Sequence, residues 1–192
     1  RNAGTMAVEL ERTGVGAEAL AKIDLLMGKV GVSENLSPAR AAALAKEAET
    51  GKPAAAMVLP DGTVATAKTS NLLGAASSLL LNALKRVAGI DKETYIVSNE
   101  ALEPICRLKT GHLHSRNPRL HSDETLIALS ISSVDNPLAA HAIEAADELR
   151  GCDAYFTVIL SPTDEKLYRS LGINVCCEPK YEQHTFYHRN EG

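Results

Sequence analysis

One stretch constrains the fold more than any other: residues 54–88, AAAMVLPDGTVATAKTSNLLGAASSLLLNALKRVA. It opens on a short apolar run, 54–59, that meets Pro60-Asp61-Gly62. Proline presets φ, aspartate can bond its own backbone, and glycine is free to take φ > 0, which together make a tight turn. Thr63-Val64-Ala65-Thr66 follows, rich in β-branched residues that suit a pleated strand. Lys68-Thr69-Ser70-Asn71 then offers polar cap residues, and 72–88 is apolar on almost every side, as a buried helix is. The order is strand, hairpin turn, strand, buried helix.

The rest of the chain alternates around this unit. Residues 1–16, glycine-containing and with little pattern, read as a connector or the end of a longer element, and Leu20, Ile23, Met27 and Val30 recur at helical spacing, predicting a helix over 17–30. Ser37-Pro38, an N-cap and an N1 proline, opens a second helix that stops at Gly51. Residues 1–50 are therefore expected to be a connector and helical hairpin, and residues 51–192 an α/β sandwich domain. Residues 94–97 (TYIV) read as a third strand, and 101–108 as a helix shortened or bent by Pro104. The stretch 109–121, KTGHLHSRNPRLH, lacks periodicity and reads as a long surface loop. Helices are expected over 125–134, 138–149 and 163–171, the last with Asp164 and Glu165 in its first turn, where the dipole favours them. YFTVIL at 155–160 is the most apolar strand, 173–177 is the last one, and 180–192 is a polar tail.

The 192 residues suffice for one domain with a core of its own. A formal charge of −4 gives no general case for nucleic acid or an anionic membrane, so any basic site must be local. Cys106, Cys152, Cys176 and Cys177 form no C-x-x-C pair and read as buried reduced thiols, which points to the cytoplasm. No apolar run reaches the length of a membrane span. Because the chain begins at Arg1, an upstream region is expected.

A hairpin followed by crossover helices predicts a three-layer α-β-α sandwich, and the order of elements resembles the cytidine-deaminase-like topology. The zinc site of such enzymes is absent. Ser70-Asn71-Leu72-Leu73-Gly74 stands where a ligand and a catalytic glutamate belong, and Cys106 has no partner cysteine. No metal and no cofactor is assigned.

The runs PAAAMVLPDGTVATAKTSNLLGAASSLLLNALKRVAGI, LKTGHLHSRNPRLHSDETLIALSIS, LRGC and TVILSPTDEKLYRSLGINVCCEP carry a resemblance. They are similar to the C-terminal region of a bacterial domain-of-unknown-function family, number eighteen-forty-six, over roughly residues 17–179. The resemblance implies a cytoplasmic, oligomeric bacterial protein with an upstream region that contains a phosphate-loop-like stretch. It implies no activity.

Three features compete to carry chemistry. Gly62, followed at a distance by Ala67-Lys68-Thr69, imitates a phosphate loop, but the β-branched residues between them suit a strand better. Lys68, Thr69, Ser70 and Asn71 still stand before a helix, where amides and dipole favour an anion; the plainer alternative is simple capping. The loop that follows gathers Lys109, His112, His114, Arg116, Asn117, Arg119, His121, Asp123 and Glu124. Arginine and asparagine there suit phosphate or carboxylate, and His121 beside Asp123 is the candidate acid/base pair. His112-x-His114 lacks a third ligand at fixed spacing, and an interface or solvated loop is the alternative. His141, between alanines, reads as a core or interface residue.

Three functions follow. The preferred one is a half-site for a phosphorylated or nucleotide-like small anion, built from Lys68, Thr69, Ser70, Asn71, Arg116, Asn117, Arg119 and His121 and completed by the upstream domain. The second is a non-catalytic homo-oligomerisation domain, based on the alanine-rich helices at 39–48 and 139–146. The third is a hydrolase or transferase with His121 as base and Asp123 beside it. Neither nucleic acid nor membrane is expected as a partner.

Overall fold

Pro60-Asp61-Gly62 makes the turn. Gly62 takes φ +84°, and Asp61 Oδ1 accepts from the Thr63 amide at 2.9 Å and from Thr63 Oγ1 at 2.6 Å. Strands β1 (Ala54–Val58) and β2 (Val64–Lys68) leave it paired antiparallel, with Ala56 opposite Thr66. The computed structural model describes residues 36–182; the connector at 1–16, the helix expected over 17–30 and most of the tail lie outside the described residues.

The described residues form an α/β domain with a four-stranded mixed sheet and six α-helices. The sheet order is β2-β1-β3-β4, where β3 is Asp153–Phe156 and β4 is Asn174–Cys177. β3 runs antiparallel to β1 and parallel to β4. Strand alternation divides the core. On one face Ala56, Val58, Tyr155 and Cys176 pack with Ala39 and Ala43 of helix α1 (Leu36–Thr50). Alanine brings that helix backbone close to the sheet. On the other face Ala55, Met57, Ala154, Phe156 and Val175 meet the remaining helices.

Those helices are α2 (Ala75–Val87), α3 (Asn99–Arg107), α4 (Ser122–Ser132), α5 (Pro137–Glu144) and α6 (Pro162–Ser170). Leu79, Leu80 and Leu84 of α2, Leu129 of α4 and Tyr168 of α6 are fully buried. Asn136 and Ser161 cap α5 and α6 by accepting from Leu138 N and Asp164 N, each ahead of an N1 proline.

Four expectations change. Residues 94–97 are not a strand: Ile96 and Val97 are buried in the core, but they sit on no ladder, so the sheet has four strands rather than five. YFTVIL leaves the sheet after Phe156. Ala54 exchanges its last bonds there with Thr157, and Pro53 beyond it has no N–H to continue the ladder. Helix α2 starts at Ala75, not at residue 72, so Lys68–Asn71 do not cap it. Ser70 closes a local turn instead, its Oγ accepting from Leu73 N at 3.1 Å. The expected loop at 109–121 begins as a π-helical turn, Leu108–His112, that continues α3.

Candidate functional site

The loop after β2 is pinned to the segment before α4. Leu73 and Leu120 form an isolated parallel bridge, Leu120 N donates to Leu72 O at 2.8 Å, and Ser77 Oγ donates to Leu120 O at 2.8 Å. This draws the start of α2 beside the start of α4. The parallel β3-α6-β4 crossover places the start of α6 at the same end of the sheet. Tyr168 Oη, buried within α6, donates to Ala76 O at 2.6 Å and ties α6 to the first turn of α2.

The three helix starts share one open cavity of about 350 Å³. Gly74, Ala75 and Ala76 line it from α2, His121 from α4, and Ser161, Pro162 and Asp164 from α6. Thr69, Asn117, Arg119, Phe156, Leu160 and Glu182 complete much of the wall. The first amides of a helix have no intrahelical partner, and the dipole adds partial positive charge. At α2 the N-cap is Gly74, with no side-chain cap bond.

Arg119 is buried, 4% exposed, and its Nε donates to Ser70 O at 2.6 Å. Its amide donates to Asn117 Oδ1 at 3.0 Å. Buried Lys109 supports it from behind, donating to Arg119 O at 2.6 Å and pairing with Glu124 at 2.8 Å. Glu124 Oε1 also accepts from the His121 amide at 2.9 Å. Lysine, carboxylate and backbone thus fix the residues that present Arg119 and His121.

His121 Nδ1 lies 3.4 Å from Asp164 Oδ2 and 3.5 Å from Ser161 Oγ. Asp164 Oδ1 accepts from Ser122 N at 2.8 Å and Ser122 Oγ at 2.6 Å, and its Oδ2 accepts from Ser161 Oγ at 3.0 Å. The Asp164 hydrogen bond holds the imidazole above its ordinary pKa, against the opposing effect of burial. Burial pushes the Asp164 carboxyl up, but bonds from His121 and Ser122 overcome it and leave the group below the usual range. The ring's other nitrogen, Nε2, makes no hydrogen bond within the described residues. The arrangement can hold an anion at the helix starts and offer it a proton from Nε2.

The expected site residues divide. Thr69, Asn117, Arg119 and His121 come together here. Lys68, Ser70 and Asn71 line a different cavity on the far side of the 69–74 loop. Arg116 is exposed and lines neither. Asp123 is not the partner of His121: its Oδ1 accepts from Glu124 N at 2.8 Å, and Asp164 takes the place expected for it. Asp164, Ser161 and Ser122 were legible only as helix-start residues, with no pattern linking them to His121.

Elsewhere, His112 and His114 are exposed. Among the described residues no group of three His, Cys, Asp or Glu is placed to hold a metal ion. His141 is exposed, with Nε2 3.0 Å from Ala88 O, remote in contacts from the cavity. The four cysteines are buried and form no disulfide. No described helix is long and apolar enough to cross a membrane.

Fold and site together define an α/β domain with a mixed sheet whose helix starts gather on one open cavity. The chain belongs to the family described as "Domain of unknown function DUF1846, C-terminal", whose model matches residues 35–187. It is similar to a UPF0371 protein of Corynebacterium efficiens, 48% identical over 168 residues, which covers 88% of this chain and 34% of the relative. A UPF0371 protein of Corynebacterium glutamicum is 46% identical over 169 residues, 88% of this chain and 34% of the relative. One of Streptococcus thermophilus is 43% identical over 182 residues, 95% of this chain and 37% of the relative. The chain spans about a third of the length of the curated relatives it matches.

Proposed function

We propose that the domain contributes half of a binding site for a phosphorylated or nucleotide-like small molecule, in the cavity between the starts of α2, α4 and α6. An upstream domain of the same protein completes it. The observation that carries the reading is the convergence of three helix starts on one cavity that also holds buried Arg119 and the Asp164-bound imidazole of His121. A phosphate group there meets the uncapped start of α2 and the imidazole of His121, whose pKa the Asp164 hydrogen bond raises, while Asp164 is already satisfied by serines and histidine. The relatives' greater length supports an upstream domain. A cytidine-deaminase-like frame is supported by the opening hairpin and the parallel β3-α6-β4 crossover; the strand missing at 94–97 counts against it. Cytoplasmic residence suits four cysteines without a disulfide.

The test is thermal denaturation of the intact protein with inorganic phosphate, sugar phosphates and nucleotides. At least one of these anions raises Tm by several degrees, and His121→Gln removes most of the rise. Absence of stabilisation by every anion refutes the site.

A second reading, a homo-oligomerisation domain, is favoured by one surface. Ile127, Ile131, Val134 and Leu138 stand exposed along and just beyond α4. In the alanine-rich helices expected to serve this role, Ala39, Ala43, Ala139 and Ala142 are fully buried inside the domain, while Ala41, Ala45 and Ala48 are exposed.

A further inference from the structure

Across the 69–74 loop from the His121 site lies a larger open cavity, about 730 Å³, within the range of small-molecule sites. Leu81, Ile96 and Leu102 give it apolar wall, and Lys46, Lys68, Lys85 and Lys92 surround it. These lysines come from α1, the end of β2, α2 and the segment before α3, so the fold and not a local run of sequence assembles them. Glu103 is the one carboxylate among the lining residues, in a chain whose formal charge is −4.

Internal pairing does not account for the cluster. Lys46 reaches Glu49 only at 3.7 Å, and that glutamate is largely exposed. Lys85 Nζ donates to the carbonyls of Lys92 at 2.9 Å and Thr94 at 3.3 Å, neutral acceptors that form no ion pair with it. Burial pushes the Lys85 pKa down, Glu93 and Asp91 of the same segment oppose that, and neither carboxylate lines the cavity. Lys68 and Lys92 are exposed and make no ion pair within the described residues. Like charges around one opening repel unless an anion sits between them. The segment that Lys85 fixes also carries Tyr95, 79% exposed on the cavity wall.

We infer that this cavity binds a molecule with a flat apolar body and a multiply charged anionic tail, the chemistry of a nucleoside di- or triphosphate. The body lies against Tyr95 and the apolar wall, and the tail crosses Lys68, Lys85 and Lys92. Lysines on flexible stems are point charges that follow such a tail without requiring one fixed geometry. The inference goes beyond the His121 site and does not rest on it.

Calorimetric titration of the intact protein with ATP, inorganic tripolyphosphate and adenosine tests it. ATP binds saturably and more tightly than tripolyphosphate, and added salt weakens both. The double variant Lys68→Ala/Lys92→Ala weakens ATP at least tenfold. Tyr95→Ala weakens ATP severalfold and leaves tripolyphosphate unchanged. All three substituted surface positions are exposed, so these variants retain the fold. Failure to bind both anions, or ATP binding that survives the double lysine variant, overturns the inference. Loss of ATP binding in His121→Gln with none in the lysine variant assigns the nucleotide to the other cavity and also overturns it.

Discussion

Asp164 accepts hydrogen bonds from both the amide and the hydroxyl of Ser122, from Ser161 Oγ, and faces His121 Nδ1. Two titrations meet in that carboxylate. The Asp164 pKa is depressed in the folded state, so its stabilisation is present above the ordinary carboxyl pKa of about 3.9 and is lost as pH falls through the lower folded value. The His121 pKa is raised, so its contribution is complete below about 6.5 and is lost as pH rises through the higher folded value. The pair therefore contributes most between about pH 4 and about pH 6.5. Asp164→Asn is expected to cost roughly 1–3 kcal/mol near pH 5.5, and less near pH 8.5 where the imidazole is more nearly neutral. Urea melts at the two pH values check the size and the sign. An NMR titration of the His121 ring should show its pKa falling toward the ordinary value in the same variant. The sequence points to Asp123 for this role only because it is close in the chain. Residues two apart on a helix do not share a face, and Asp123 bonds within its own first turn. The true partner lies 43 residues away, brought near by the β3-α6 connection. Nothing local marks it.

Elements were legible where their signals are local. The β1–β2 hairpin follows from Pro60-Asp61-Gly62, and the starts of α5 and α6 follow from Asn-Pro and Ser-Pro caps. The segment 94–97 has strand chemistry and buries Ile96 and Val97, but a strand exists only if a neighbour offers it a free edge, which sequence does not show. Helix α2 starts later than its sequence suggests because Ser70 mimics a helix cap while closing a separate turn. Two substitutions probe this scale. Gly62→Ala adds a Cβ with nothing within 4 Å of it, so any loss comes from holding alanine at φ +84°. The expected cost is about 1–2 kcal/mol, read from chemical denaturation. Tyr168→Phe removes the bond to Ala76 O and leaves that buried carbonyl without this donor. It should cost about 1–2 kcal/mol and weaken phosphate binding at the His121 site, because the starts of α2 and α6 are no longer tied.

At the scale of the molecule, the covering of the sheet is unequal, and the alanines explain how. Ala39 and Ala43 let the single helix α1 sit close on one face, while Ala139 and Ala142 let α5 pack into the multi-helix layer on the other. Alanine-rich patterning looks the same in sequence whether it serves a core or an interface, and here the core takes Ala39, Ala43, Ala139 and Ala142 while Ala41, Ala45 and Ala48 stay exposed. Part of the apolar surface left over is on and just beyond α4. Ile127, 58% exposed, and Ile131, 69% exposed, are four apart in a stripe on one face of α4, and Val134, 81% exposed, follows just beyond the helix end. β-branched side chains lose little rotamer freedom when covered, which favours a helix-on-helix contact. A second copy of the chain presents the same stripe, and an isologous pairing about a two-fold axis covers both at once. The intact protein is then expected to show a dimer mass by light scattering at micromolar concentration. Ile131→Glu should convert it to monomer with its tertiary fold intact, because the side chain it replaces is exposed within the domain. If another part of the same protein covers the stripe instead, Ile131→Glu lowers Tm without changing the mass. A monomer whose Tm is untouched by the substitution leaves the stripe uncovered in solution and removes the assembly reading, so mass and melting temperature of one variant separate the three cases.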